Sequence, residues 1–239
     1  MASTPIQSRP TRVHGHDEIA AIIGAEILSG QRLPGDRIPS AEELYERFGA
    51  SRALMREVSK TLAAKGMITA KSRVGTQVLP PEHWNWFDPD VLAWRVRIGL
   101  DEAFFRYITE VRRAVEPAGA ALAAERRSAD DLRQMRGALE RMALAGANRH
   151  AFAEADLDLH IAVAAASGNP LFRSFAAVIE TALGAYFSLS APAQNDRAGI
   201  SIARHAAIAD AIEARDGAAA ARAMLAVIDE GLESVTRSA

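Results

Sequence analysis

The sequence predicts a mostly α-helical protein, with an N-terminal winged helix-turn-helix and a C-terminal antiparallel all-α helical bundle. Three observations predict it. Ile38 to Val78 reads as helix, tight turn, second helix and β-hairpin; from Asp88 onward the chain is alanine-rich and helical with short breaks; and charge is split between these parts. Residues 1–78 hold eleven Lys and Arg against eight Asp and Glu, a balance of +3, whereas residues 79–239 hold seventeen against twenty-two, or −5. The overall net charge of −2 therefore hides a basic first third, which is where a polyanion would bind.

Residues 1–15 are polar, contain Pro5 and Pro10, and are expected to form a loose arm. From His16, the apolar positions Ile19, Ile22, Ile23 and Ile27 follow helical spacing up to Gly30, giving a first, supporting helix. Leu33-Pro34-Gly35-Asp36 is a turn. Ser40 with Glu43 three residues on forms a capping box, so a helix runs to Phe48, where Gly49 ends it. The link Gly49-Ala50-Ser51 has helix-turn-helix length, and the Ser51 hydroxyl caps the next helix. On that second helix Leu54, Val58 and Leu62 are expected to bury, leaving Arg52 and Arg56 on another face with Ser59 and Lys60 nearby. After Gly66, MITAK and TQVLP read as the strands of a wing whose turn carries Arg73 and Gly75.

An exposed arginine pair near the start of the second helix is what a major groove would meet. Arginine's planar fork pairs two guanine acceptors, while lysine and wing backbone groups hold phosphates. A solvated helix face is the ordinary fate of such arginines; capping box, short turn and basic hairpin in one order favour duplex DNA.

The wing ends at Pro80-Pro81, and the aromatics of HWNWF are expected to pack the two domains together. Helices are predicted near 88–98, 101–126, 129–146, 149–167, 170–189, 196–215 and 217–236. The expected organisation is thus an arm over 1–15, a DNA-binding domain over 16–79, a connector over 80–88 and a helical domain over 89–239. At 239 residues and 49% apolar content both domains can build cores. The absence of cysteine excludes disulfides and thiolate metal sites, and no apolar run approaches membrane-spanning length, so a cytoplasmic protein without membrane contact is expected.

Inside the bundle, Asp156 and His160 are four apart on the apolar face of their helix, and His205 shares a face with Ile208 and Ile212. One carboxylate and two imidazoles are donors that Zn, Ni, Mn or Fe accept; the alternative is an Asp-His hydrogen bond with an unrelated histidine. Arg112 lies at the edge of the apolar stripe of Ile108 and Val115, where it clamps an effector carboxylate or else pairs locally with Glu116 on the surface.

The motifs IPSAEELYERFGASRALMREVSKTLAAKGMI, EVRRAVEPAGAALAAERR, DLDLHIAVAAASGNPLF and HAAIADAIEARDGAAAARAM resemble, in this order, a GntR-family transcription regulator. The matching subgroup has the fatty-acid-regulator type of helical ligand domain, the FCD domain. The resemblance implies operator contacts from Ser40, Ser51, Arg52, Arg56 and the wing residues Lys71, Ser72, Arg73 and Gly75, and a helical domain that dimerises and binds an effector. It also implies a divalent transition metal on Asp and three His. Asp156, His160 and His205 match three of these positions; the fourth is Val227 here, with Glu230 one turn beyond as a substitute that needs a helix shift. Arg112 matches the subgroup's recurrent arginine. Glu42 departs from the fatty-acid regulator, which has a DNA-contacting arginine there. The connector HWNWFDPDVLAWR is similar to that of galactonate-operon repressors, implying a sugar-acid effector such as an aldonate or uronate.

The expected function is an effector-responsive homodimeric regulator, a repressor of a sugar-acid or other carboxylate catabolic operon, with a response transmitted through 79–88. The rivals are a metal-dependent enzyme on Asp156, His160 and His205, which leaves the winged helix unexplained, and a sequence-indifferent DNA-compacting protein.

Overall fold

The computed structural model describes residues 15–71, 75–189 and 195–236. The expected arm over 1–15 lies outside them except for Gly15. Two compact units follow one another, the first ending at Ile98 and the second starting at Gly99.

In the first unit α1 (His16–Leu28), α2 (Ala41–Phe48) and α3 (Arg52–Ala64) precede β1 (Ile68–Lys71) and β2 (Gly75–Val78), then a 3₁₀ turn (Pro81–His83) and α4 (Pro89–Arg97). The strands pair antiparallel, with Ile68 opposite Val78 and Lys71 opposite Gly75. The segment after the Gly35 turn joins the wing: Ile38 N–H donates to the Thr76 carbonyl at 2.8 Å, and Arg37 bridges Gln77. Ile19, Ile23, Leu44, Phe48, Val58, Leu62, Met67 and Val78 form the core. On α3 the buried stripe is Met55, Val58 and Leu62, and Leu54 is only half-buried. Spacing of three and seven from Met55 centres that stripe better than the expected fours from Leu54.

The expected connector over 80–88 and the first helix after it lie within the first unit, which ends at Ile98. Residues 79–97 are fastened to the DNA-binding unit at three points. Gly66 adopts φ 71°, and a Cβ there would lie 2.0 Å from the His83 carbonyl oxygen, so only glycine permits this approach. Buried Lys65 donates to Asp88 and Asp90, both at 2.7 Å. Burial alone would lower its ammonium pKa, but the bonds to the two carboxylates hold it above the usual lysine value. Trp94 packs so closely on α1 that a Cβ on Gly24 would come within 2.2 Å of its ring. The connector tryptophans, expected between the domains, also serve this unit. Trp84 is buried in its core and donates to the Leu79 carbonyl at 2.8 Å, while Trp86 donates to Pro81 at 3.0 Å.

The second unit contains α5 (Glu102–Arg126), α6 (Ala129–Ala145), α7 (Arg149–Ala166), α8 (Pro170–Arg173), α9 (Ala176–Leu189), α10 (Asn195–Glu213) and α11 (Gly217–Thr236). Asp101, Ser128, Asn148 and Asn169 accept from backbone N–H groups at the starts of α5 to α8, as cap residues should. Ala120, Ala123, Ala124, Ala138 and Ala209 line a core filled by Met135, Leu159, Ile208, Ile212 and Met224; the small residues let the helices approach closely.

The single helix expected over 170–189 is broken. Ser174 N–H bonds to Leu171 and Phe175 N–H to Phe172, each at 3.1 Å and three residues back. Such 3₁₀ bonding re-aims the chain and eclipses side chains three apart, so Phe172 and Phe175 project together.

Candidate nucleic-acid interface and candidate metal centre

The helix-turn-helix is built by its two serines. The Ser40 hydroxyl accepts from Glu43 N–H at 3.3 Å while the Glu43 carboxylate accepts from Ser40 N–H at 2.5 Å. Gly49 takes φ 65° to end α2, and the Ser51 hydroxyl accepts from Leu54 N–H at 3.2 Å to start α3. Arg52 and Arg56 are exposed on the first two turns of α3. Arg52 Nη2 lies 3.4 Å from Glu42 Oε1, both side chains three-quarters exposed, so the pair is weak and separable. Glu42 thus holds the Arg52 guanidinium only loosely. Gly75 opens β2 with φ 96°, a backbone conformation that favours glycine. The side chain of Lys71 and all of Ser72 and Arg73 lie outside the described residues.

In the second unit Asp156 and His160 on α7 meet His205 on α10. Asp156 Oδ1 lies 3.3 Å from His160 Nε2 and 3.0 Å from His205 Nε2, and all three side chains are almost wholly buried. None of these three atoms makes a directed hydrogen bond. Three buried donor atoms that converge without bonding one another match a seat for an ion. The far sides of both rings are engaged: His205 Nδ1–H donates to the Ser201 carbonyl at 2.7 Å, and His160 Nδ1 sits 2.5 Å from Glu116 Oε2. With Nδ1–H so held, Nε2 keeps its lone pair for the centre, the usual support for a metal-bound imidazole.

Arg112 is buried, and its Nε donates to Glu116 Oε1. The local pair with Glu116 is present, but inside the protein, and it extends to His160. Glu116 was legible only as a partner of Arg112; its reach to α7 comes from the packing of α5 on α7. Burial would push the Glu116 carboxyl up, but Arg112 and His160 hold it down to about 2. Burial would likewise lower His160, yet Glu116 and Asp156 push it up to about 9. Desolvation of Asp156 is overcome by His205 and His160, so its carboxyl stays well below the usual range. Without an ion, a proton on His160 neutralises the cluster. Val227 is buried in the apolar core, and Glu230 pairs with Arg204 at 2.8 Å rather than turning to the three donors.

Residues 16–78 match the gntR family of bacterial regulatory proteins, and residues 107–230 match the FCD domain. The chain belongs to the GntR family and carries an FCD domain. It is 36% identical over 212 residues to the galactonate operon transcriptional repressor of Escherichia coli, covering 89% of this chain and 93% of that protein. An uncharacterized HTH-type transcriptional regulator of the same organism is 33% identical, covering 88% of this chain and 90% of that protein. Lar of Listeria monocytogenes shares the fold with TM-score 0.64 at 15% identity, covering 95% of this chain and 99% of that one. The GntR-family protein is a DNA-binding transcription regulator and not an enzyme. Among the described residues no helix is long and apolar enough to cross a membrane.

Proposed function

We propose that this GntR-family regulator is a homodimeric repressor whose operator affinity is set by a small carboxylate bound in the FCD unit beside a divalent transition metal. The three convergent, unbonded donor atoms of Asp156, His160 and His205 carry this reading. Zn, Ni, Mn or Fe suits this N and O donor set, and would supply a Lewis-acidic anchor for a carboxylate. Glu116 and the Ser201 carbonyl orient the two imidazoles, and Val227 leaves one family ligand position without a donor. The remaining donors of the Arg112 fork are the partner for the effector's carboxylate. The galactonate-operon repressor among the relatives makes a sugar acid the first effector class to try.

Two winged helices related by a twofold axis read a palindrome, with Arg52 and Arg56 at base edges and Ser40, Ser51, Lys71, Ser72, Arg73 and Gly75 on the backbone. The connector 79–88, built into the DNA-binding unit, cannot be the joint. The response passes instead through 98–101, where Gly99 takes φ 101°, a backbone conformation that favours glycine, and Asp101 caps α5. An effector shifts operator affinity only if it binds one arrangement of the units better. Selection of duplexes from a random pool tests the reading. A palindrome bound by two chains is expected, and recovery of unrelated sequences with equal affinity would contradict it.

A further inference from the structure

We propose that Arg37 is a further operator contact, holding a phosphate of the DNA strand that passes between α3 and the wing. The inference rests on the reading that α3 enters the major groove.

The position of Arg37 follows from its place beside β2. Gly35 N–H donates to the Val78 carbonyl and Val78 N–H to the Asp36 carbonyl, both at 2.9 Å, and Ile38 N–H donates to Thr76 at 2.8 Å. Residues 35–38 therefore add a third row to the wing, and side chains alternate along such a row. Ile38 is buried in the core, which turns Arg37, opposite Gln77, to the outer face. The Arg37 stem runs beside the start of β2, with Cδ 3.8 Å and Cγ 3.9 Å from where a Cβ on Gly75 would stand. Its Nη2 reaches the first turn of α2, 3.3 Å from Glu43 Oε2. Glu42, the preceding residue on α2, lies against Arg52 of α3. One ridge thus runs from the wing through Arg37 to α3. A duplex with α3 in its major groove lays the sugar-phosphate strand bordering that groove across this ridge.

Other cations of this unit are held more firmly. Arg32 and Arg47 both pair with the nearly buried Glu26, and buried Lys65 lies between Asp88 and Asp90. The Arg37 and Glu43 side chains are instead 60% and 59% exposed. Glu43 Oε2 also accepts from Ser40 N–H at 2.5 Å, so Arg37 makes the longer of two bonds to that oxygen. An exposed pair of this kind contributes little in water. The other guanidinium donors meet no partner among the described residues, which leaves a planar fork for a phosphate to accept.

The test is fluorescence anisotropy of the full-length protein on a labelled duplex from the gene's own upstream region and on a scrambled duplex, over about 50 to 200 mM salt. Arg37→Gln should lower the slope of log affinity against log salt by about 0.9 per chain, or roughly 1.8 for a dimer. It should weaken both duplexes by a similar factor, because a phosphate contact carries no sequence information, and leave the tryptophan transition in place. Arg37→Lys, which keeps the charge, should keep the slope. If Arg37→Gln does not melt as the wild type does, Arg37→Met serves instead, with the same expected slope. Arg52→Ala separates the inference from the reading beneath it, since loss of a base-reading fork should narrow the preference for the upstream duplex. An unchanged slope in Arg37→Gln with weaker, less selective binding by Arg52→Ala overturns the Arg37 contact alone. A preference narrowed by Arg37→Gln overturns its assignment to phosphate. No change in either variant overturns the α3 reading together with this inference.

Discussion

Glu116→Gln removes one charge from the buried row Arg112, Glu116, His160 and Asp156 while keeping the side chain's shape. Leaving the buried Arg112 without its counter-charge costs about 3–5 kcal/mol at any pH. A second contribution depends on pH. In the metal-free protein His160 titrates at about 9 against its ordinary 6.5, so its protonation favours the folded state. That stabilisation is fully present below the unfolded value and is lost as pH rises from 6.5 through about 9. The complete shift corresponds to about 3 kcal/mol as an upper estimate. Glu116 is its largest electrostatic source, so the variant should forfeit roughly 2 kcal/mol of it at pH 6 and almost nothing at pH 9.5. All three tryptophans lie in the first unit, which separates the readouts. Urea unfolding of chelated protein by far-ultraviolet circular dichroism should show the gap between wild type and variant shrinking from pH 6 to 9.5. The tryptophan-fluorescence transition should stay in place. A gap that does not change with pH would refute the claim that Glu116 holds the His160 proton.

Other outcomes are expected. Because a metal must displace the His160 proton, Zn²⁺ affinity should rise about tenfold per pH unit between 7 and 9, and competition titration that finds it flat would count against His160 as a ligand. Arg52→Ala and Arg56→Ala should each weaken operator binding by about 1–3 kcal/mol, whereas Glu42→Gln, which frees Arg52 and removes a charge facing phosphate, should strengthen it severalfold at low salt in fluorescence anisotropy. Gly66→Ala should destabilise the first unit by roughly 3 kcal/mol through its left-handed backbone and the clash with His83, read as an earlier tryptophan transition. Gly99→Pro cannot keep φ 101° and must re-route the joint, so it should change the effector response in a mobility-shift titration while the tryptophan transition of the first unit stays in place.

The helix-turn-helix and bundle were legible because local signals agreed with the fold. Ser40 and Glu43, Gly49, Ser51 and the Asn169-Pro170 pair each mark a boundary that backbone hydrogen bonding realises. The domain boundary was not legible, because proline, tryptophan and polar residues at 80–88 have a linker's composition. The anchors that bind this segment, Gly66 under His83 and Gly24 under Trp94, are close approaches that only tertiary structure reveals. Asp156 and His160 were visible as an i, i+4 pair, and the apolar face carrying His205 suggested an inward histidine. The Glu116 link to His160 spans 44 residues and had no periodic signal. The helix break at Ser174 was hidden because PLFRSFAAVIE keeps helical apolar spacing across it.

The central claim is that operator binding by the first unit answers to a carboxylate held beside Asp156, His160 and His205. The direct test is electrophoretic mobility of the gene's own upstream DNA with purified protein, run with a panel of carboxylates, before and after chelation, for wild type and Asp156→Ala. The account predicts specific binding released by one acid in wild type, with that release lost on chelation and in the variant while basal binding persists. Release that survives both treatments unchanged would contradict it.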